Sequence, residues 1–157
     1  MKKIPLLPRY FRWIGVVLFT LTLVLYVIDS IERGGEGIYT KSFVLINDPF
    51  MGEKGFLKFM EVEITLTLFL SLTLFGLAAI AFSRNKVEDE MINSVRLFSW
   101  SWAIIYALIF CFIATVFVYG TTFVRIISLF PQELLLFYII IFHISIFKLN
   151  RKTAVEE

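Results

Sequence analysis

Four long apolar runs, almost empty of charge, constrain this chain more than anything else in it. Residues 13–28 are wholly uncharged, with Arg9 and Arg12 before them and Asp29 after. Residues 62–82 carry one charge, Glu63, at their start, and residues 97–119 carry none. Residues 131–149 hold Glu133 in the first turn and Lys148 in the last. A spanning helix needs about 20 mostly apolar residues to cross a hydrocarbon layer of about 30 Å. The composition agrees, with 59% hydrophobic and only 18% charged residues and a mean hydropathy of +0.83. Soluble domains carry roughly 45–50% apolar and about 25% charged residues. A chain of 157 residues exposes too much surface to hide that excess. An ordinary cytosolic domain, a disordered chain and a disulfide scaffold are therefore excluded, and an integral membrane protein remains.

Backbone groups in lipid must be satisfied within their own segment or in a closed barrel. No run shows the alternation of a barrel strand, so the expected fold class is an all-α integral membrane protein with four transmembrane helices. The chain reads as one membrane domain, residues 1–157. Its spans fall at about 13–31, 56–82, 86–119 and 131–149, with an outer loop at 32–55. All four prolines (Pro5, Pro8, Pro49, Pro131) avoid span interiors, and Pro131 sits at a first turn, where its missing N–H costs nothing. Four spans place the N-terminus, the middle connection and the C-terminus on one side. That side holds ten Lys and Arg against five on the other. Cytoplasmic loops retain positive charge, so both termini are expected inside. Residues after the first run lack a small-residue cleavage site, so the run reads as a retained anchor and not a secretory signal.

The outer segment breaks at Gly34-Gly35-Glu36-Gly37, is β-prone over residues 38–46, and turns at Asn47-Asp48-Pro49. From Phe56 onward, Phe56, Met60, Glu63 and Thr67 share a helical face, which predicts a second helix starting near Phe56 or a short interfacial helix there. Seven acids against four bases across residues 29–63 suggest either a cation-attracting mouth or simply a solvated loop. On the inner side, Asn85 with Glu88 has the form of a capping box, and Glu88, Asp89 and Glu90 load a first turn with negative charge. No breaker follows until Gly120, so one helix over about 86–119 is expected, its first third extending into the cytoplasm. Met91, Val95, Phe98 and Trp102 would form a stripe along it, packed on its own chain or a sister subunit.

Phe82-Ser83-Arg84, Lys86-Val87-Glu88-Asp89-Glu90, Arg96-Leu97, Ser99, Trp102-Ala103 and Tyr119-Gly120 together resemble a group of small four-span proteins of Bacteroidetes-type bacteria. The likeness covers roughly residues 80–120. That group has no assigned activity. The resemblance implies a location in the bacterial inner (cytoplasmic) membrane, multi-pass, and a four-helix form, and it transfers no site.

Lipid tails are as apolar as Leu, so helices in a membrane associate through close packing of small residues and interhelical hydrogen bonds. The third run has such a row at every fourth position: Ser99, Ala103, Ala107, Cys111 and Thr115. Thr67, Ser71, Gly76, Ala79 and Ser83 in the second run are the expected counterpart. Cys111, the single cysteine, reads as a small packing residue. His143 is the single histidine and the one ionisable group well inside a run. A neutral histidine bonded to another helix, a proton relay and an axial haem ligand are its possible roles. Glu133 lies about 15 Å along the helix from His143, so the two cannot touch. Arg125, on the short outer connection, is available to Glu133, to an acid of the first loop or to lipid headgroups. Glu61, Glu63, Glu133 and Arg125 are the candidate outer-mouth residues.

Several chemistries fail on residue content. There is no Cys-x-x-Cys, no phosphate-cradling Gly loop with Lys and no mid-span Lys. No span supplies an acid beside His143, and every carboxylate lies at or beyond an interface, where ion-coupled transport does not place its carboxylate. The net charge of +2 suits no nucleic acid. The expectation is a non-enzymatic accessory or scaffold subunit without cofactor, associating in the lipid bilayer as a homo-oligomer or within a larger membrane-protein complex. The alternatives are a small oligomeric channel or transporter with an acidic outer mouth, and a haem or redox subunit using His143.

Overall fold

The computed structural model describes residues 6–32, 38–47, 55–85 and 89–156. Its elements are α1 (Tyr10–Glu32), β1 (Tyr39–Asn47), β2 (Gly55–Glu63), α2 (Thr65–Ala81), α3 (Glu90–Phe117), α4 (Thr121–Ser128) and α5 (Phe130–Glu156). Three helices are long and apolar enough to cross a membrane: α1, α3 and the Phe130–Leu149 part of α5. The fourth apolar helix, α2, is shorter, at 17 residues.

The fold is not all-α. β1 and β2 form an antiparallel hairpin in which Tyr39 pairs with Glu63, Phe43 with Phe59 and Asn47 with Gly55. The β-prone character of residues 38–46 is realised in β1. The helix expected from Phe56 is corrected, because residues 55–63 are the partner strand and helix begins only at Thr65. A lone strand would leave its backbone groups unpaired, and this segment is the one that satisfies them. The Phe43 and Phe59 rings, 5.3 Å apart, add a cross-strand contact. The hairpin is fastened to α2 at its base: Ile64 N–H donates to the Ile38 carbonyl at 3.0 Å, and Ile38 N–H donates to Thr65 Oγ1 at 2.6 Å. The turn at Asn47-Asp48-Pro49 runs into residues outside those described.

The third long helix runs over Glu90–Phe117, shorter than the expected 86–119. Its N-cap is Asp89 and not Asn85: Asp89 is extended, and its carboxylate accepts from Ile92 N–H at 2.8 Å. Glu88 lies outside the described residues. Val118 leaves the helix in extended conformation, and Gly120, at φ 75°, opens the unforeseen short helix α4 that carries Arg125. The last helix continues past residue 149 to Glu156, so α5 accompanies the inner end of α3.

The long helices form a row with neighbours α1/α2, α2/α5 and α5/α3. Small residues set each junction. Gly15 of α1 lies against Gly76 of α2 so tightly that a Cβ on Gly15 would sit 2.6 Å from the Gly76 carbonyl oxygen. Thr22, two turns further along α1, is almost fully buried on the same side. Ser99, Ala103 and Ala107 are fully buried on the α5-facing side of α3, and Ala114 nearly so. Leu77, Ala81, Ala103, Leu135, Tyr138 and Phe142 make the buried centre, drawn from α2, α3 and α5. The chain before α1 pairs with the chain after α2: Leu7 N–H donates to the Phe82 carbonyl and Arg84 N–H to the Leu7 carbonyl.

Candidate functional site: an outer cavity and an inner closure

Because α2 stands between α1 and α5, a gap between those two helices is backed by α2. Where α1 ends and α2 begins, the gap widens into a cavity of about 640 Å³, within the 300–1,000 Å³ typical of small-molecule sites. Its walls come from α1, α2 and the α4–α5 corner. Thr22, Leu70 and Thr73 line its deeper part, while Asp29, Glu63 and Arg125 line it near the helix ends. Tyr26 and Phe69 meet edge to face across α1 and α2, ring centres 5.1 Å apart. The Thr22 and Thr73 hydroxyls donate to carbonyls of their own helices, Leu18 and Phe69, both at 2.7 Å. Bonding back to the i−4 carbonyl satisfies each hydroxyl hydrogen and leaves its oxygen as an acceptor toward the cavity.

At the opposite end, where α1 begins, the same gap is closed. Arg12, in the first turn of α1, donates through its guanidinium to Nε2 of His143 on α5. His143 Nδ1 faces the Ile139 carbonyl at 2.8 Å. With an acceptor at one nitrogen and a donor at the other, the ring carries its hydrogen on Nδ1. A haem iron at Nε2 would have to displace Arg12.

Beside this closure Arg96 is buried, at 3% exposure, in an aromatic nest. Its Cζ lies 5.2 Å from the Phe142 ring centre, and a terminal nitrogen is 3.5 Å from the Tyr138 hydroxyl. Tyr138 stacks on Trp100 at 4.3 Å between centres. A guanidinium held over a ring face is stabilised by the ring quadrupole, more so away from water. From the sequence Arg96 enters only among the ten basic residues expected inside and in the Arg96-Leu97 pair of the resemblance, yet four residues of the nest lie on two helices at helical spacing.

The other expected site residues divide. Glu63 and Arg125 do come together in the cavity, joined by Asp29, another of the seven acids across residues 29–63. Glu61 lies on β2, paired with Lys41, and Glu133 is half-buried in the first turn of α5; neither lines the cavity. Gly76 and Ala79 pack against Gly15, so the second run's small residues serve α1, not the third run as expected. In the α3 row, Cys111 is half-buried and Thr115 exposed; burial follows Ser99, Ala103, Ala107 and Ala114 as the row drifts round the helix. Of the Met91, Val95, Phe98 and Trp102 stripe, Val95 packs toward the buried centre on its own chain with Ile92, beside buried Arg96, whereas Met91, Phe98 and Trp102 are exposed. Gln132 went unnoticed: almost fully buried, it donates through Nε2 to the Leu70 carbonyl at 3.1 Å and ties α5 to the back wall of the cavity.

Compared with models of protein families, with curated proteins and with solved structures, the chain matches none.

Proposed function

We propose that this chain is a four-span protein of the bacterial inner membrane, both termini inside, that acts by association as a non-enzymatic accessory or scaffold subunit. The observation that carries this reading is the open row α1–α2–α5–α3. A closed bundle would use both sides of each helix, whereas here the terminal helices each keep one broad face outside the chain. α1 buries only Gly15 and Thr22 of its 23 residues. α3 keeps Leu97, Tyr106, Leu108 and Phe112 exposed. In lipid such faces are stable without a partner, and they are flat surfaces on which further helices fit. α2 serves as the fourth span: its 17 residues, preceded by the hairpin and backed by neighbours on both sides, reach about 26 Å. The ten-to-five distribution of Lys and Arg supports the orientation, and the resemblance over residues 80–120 supports the location.

Crosslinking in native membranes, then purification and mass measurement, tests the association. The expected product is a dimer or larger species, or a reproducible heteromer, with crosslinks from cysteines placed at the exposed α1 and α3 faces. A strict monomer with no recovered partner overturns it. Single cysteines at Ser30 and Ser94, probed with an impermeant thiol reagent on intact cells after Cys111→Ala, test the topology: Ser30 should label and Ser94 should not.

A further inference from the structure

We propose that the outer cavity binds one zwitterionic aminophospholipid, its head at Arg125, Asp29 and Glu63 and part of one acyl chain along α2. This goes beyond the association reading and does not depend on it. The cavity is charged where α1 ends and α2 begins, and uncharged deeper, where Leu23, Phe69 and Leu70 stand with Thr22 and Thr73. From Ser30 to Thr22 on α1, and from Thr65 to Thr73 on α2, it runs eight residues, or about 12 Å along each helix. That depth is under half of a hydrocarbon layer of about 30 Å. It suits a ligand that enters from the membrane surface and dips one tail inward, and it does not suit a solute crossing the bilayer. Below it, α1 and α2 touch backbone to backbone at Gly15 and Gly76, which closes the floor.

The charges select the head. Arg125 presents a planar fork of N–H donors that matches phosphate oxygens. Asp29 and Glu63 line the same cavity with carboxylates that match a primary ammonium. Among the described residues the lining holds two acids and one base, a balance that favours a phosphate head carrying an amine over one without it. Quaternary ammonium heads lack N–H donors and lose the charge-assisted hydrogen bonds to the carboxylates. The ligand is therefore an amine-bearing zwitterion more than a choline or glycerol lipid.

The test uses the full chain in detergent, delipidated and then titrated separately with phosphatidylethanolamine, phosphatidylcholine and phosphatidylglycerol, with bound lipid counted by native mass spectrometry. One phosphatidylethanolamine per chain is expected, held about tenfold more tightly than phosphatidylglycerol. Arg125→Gln should weaken it about tenfold, and the pair Asp29→Asn with Glu63→Gln should reduce it to the level of phosphatidylcholine. Thr67→Trp, at an exposed position lining the cavity, should fill the space and abolish retention while leaving the helical circular dichroism signal unchanged. Phosphatidylglycerol bound as well as phosphatidylethanolamine, or undiminished retention in Arg125→Gln and Thr67→Trp, overturns the proposal. So does displacement by millimolar inorganic phosphate alone, which would make this a phosphate site. The same spectra report chain stoichiometry, so loss of association and loss of lipid are read separately.

Discussion

Gly15 on α1 and Gly76 on α2 meet backbone to backbone, and a single added methyl on Gly15 would lie 2.6 Å from the Gly76 carbonyl oxygen and 2.8 Å from Ile80. Neither neighbour can yield cheaply, since one is helix backbone and the other is held by α2. Gly15→Ala should therefore destabilise the α1–α2 pair by about 1–3 kcal/mol, the range for overpacking a tight junction. Gly76→Ala, whose nearest contact would be Phe19 N at 3.1 Å, should cost less. Denaturant titration of the detergent-solubilised protein, followed by helical circular dichroism, ranks the two; the opposite order would contradict the geometry.

The α3–α5 junction makes a matching prediction with an internal control. Ala103 and Ala107 have no exposed surface, whereas Thr115 of the same row is exposed. Ala103→Leu or Ala107→Leu should destabilise by about 1–3 kcal/mol, while Thr115→Leu should change stability by less than about 0.5 kcal/mol. Thermal unfolding of the three variants side by side checks it.

Arg12 and His143 are coupled across 131 positions of sequence. In a double-mutant cycle built from Arg12→Gln and His143→Phe, the coupling energy should be about 0.5–1.5 kcal/mol and stabilising. Pulsed electron resonance between spin labels on Leu7 and Ile144 gives a second readout. The distance distribution should broaden in either single variant, and additive energies with an unchanged distribution would show that the inner end of the gap is not held by this contact.

Trp100 is half-buried against Tyr138, whereas Trp13 and Trp102 are exposed. Tyr138→Leu should remove both the stack and the phenol near Arg96 and cost about 2–4 kcal/mol. Tyr138→Phe keeps the ring and should cost about 1 kcal/mol. Tryptophan fluorescence of protein carrying Trp13→Phe and Trp102→Phe should shift on the Leu change and stay in place on the Phe change.

Leu57 in β2 adopts φ 50° with its side chain two-thirds exposed at 66%. A left-handed backbone costs a non-glycine residue about 1–2 kcal/mol, and Asn tolerates it best among residues that keep a Cβ. Leu57→Asn should therefore raise hydrogen-exchange protection across the hairpin by a few fold without touching the helices.

The helices were largely legible because an uncharged apolar run in lipid has one solution, and Asp89, the acid after Glu88, needed only a shift of frame to become the cap. The hairpin was half legible. Residues 38–46 looked like a strand, but a strand requires a partner, and the nearest apolar segment was 55–63. Its mixed periodicity, with Phe56 and Met60 four apart yet Leu57, Phe59 and Glu61 alternating, read as helix to a local eye. Gly15 was the chief omission at the packing sites. A glycine in the second turn of an apolar helix, with Thr22 seven residues on, marks a close approach. The outer cavity was legible residue by residue in Glu63 and Arg125, but not as a place: only the row order of the helices brings α4 beside α1 and α2.

The brevity of α2 has a consequence for the lipid itself. As a fourth span, a helix reaching about 26 Å, set beside α1 at about 35 Å, would fall several ångströms short of a typical hydrocarbon layer. The bilayer would dimple toward whichever end is short, and the hairpin base and the cavity rim occupy one of them. Lipids near α2 would then be drawn inward and thinned, a local deformation that costs fractions of a kcal/mol per ångström and would favour thinner membrane regions for this chain.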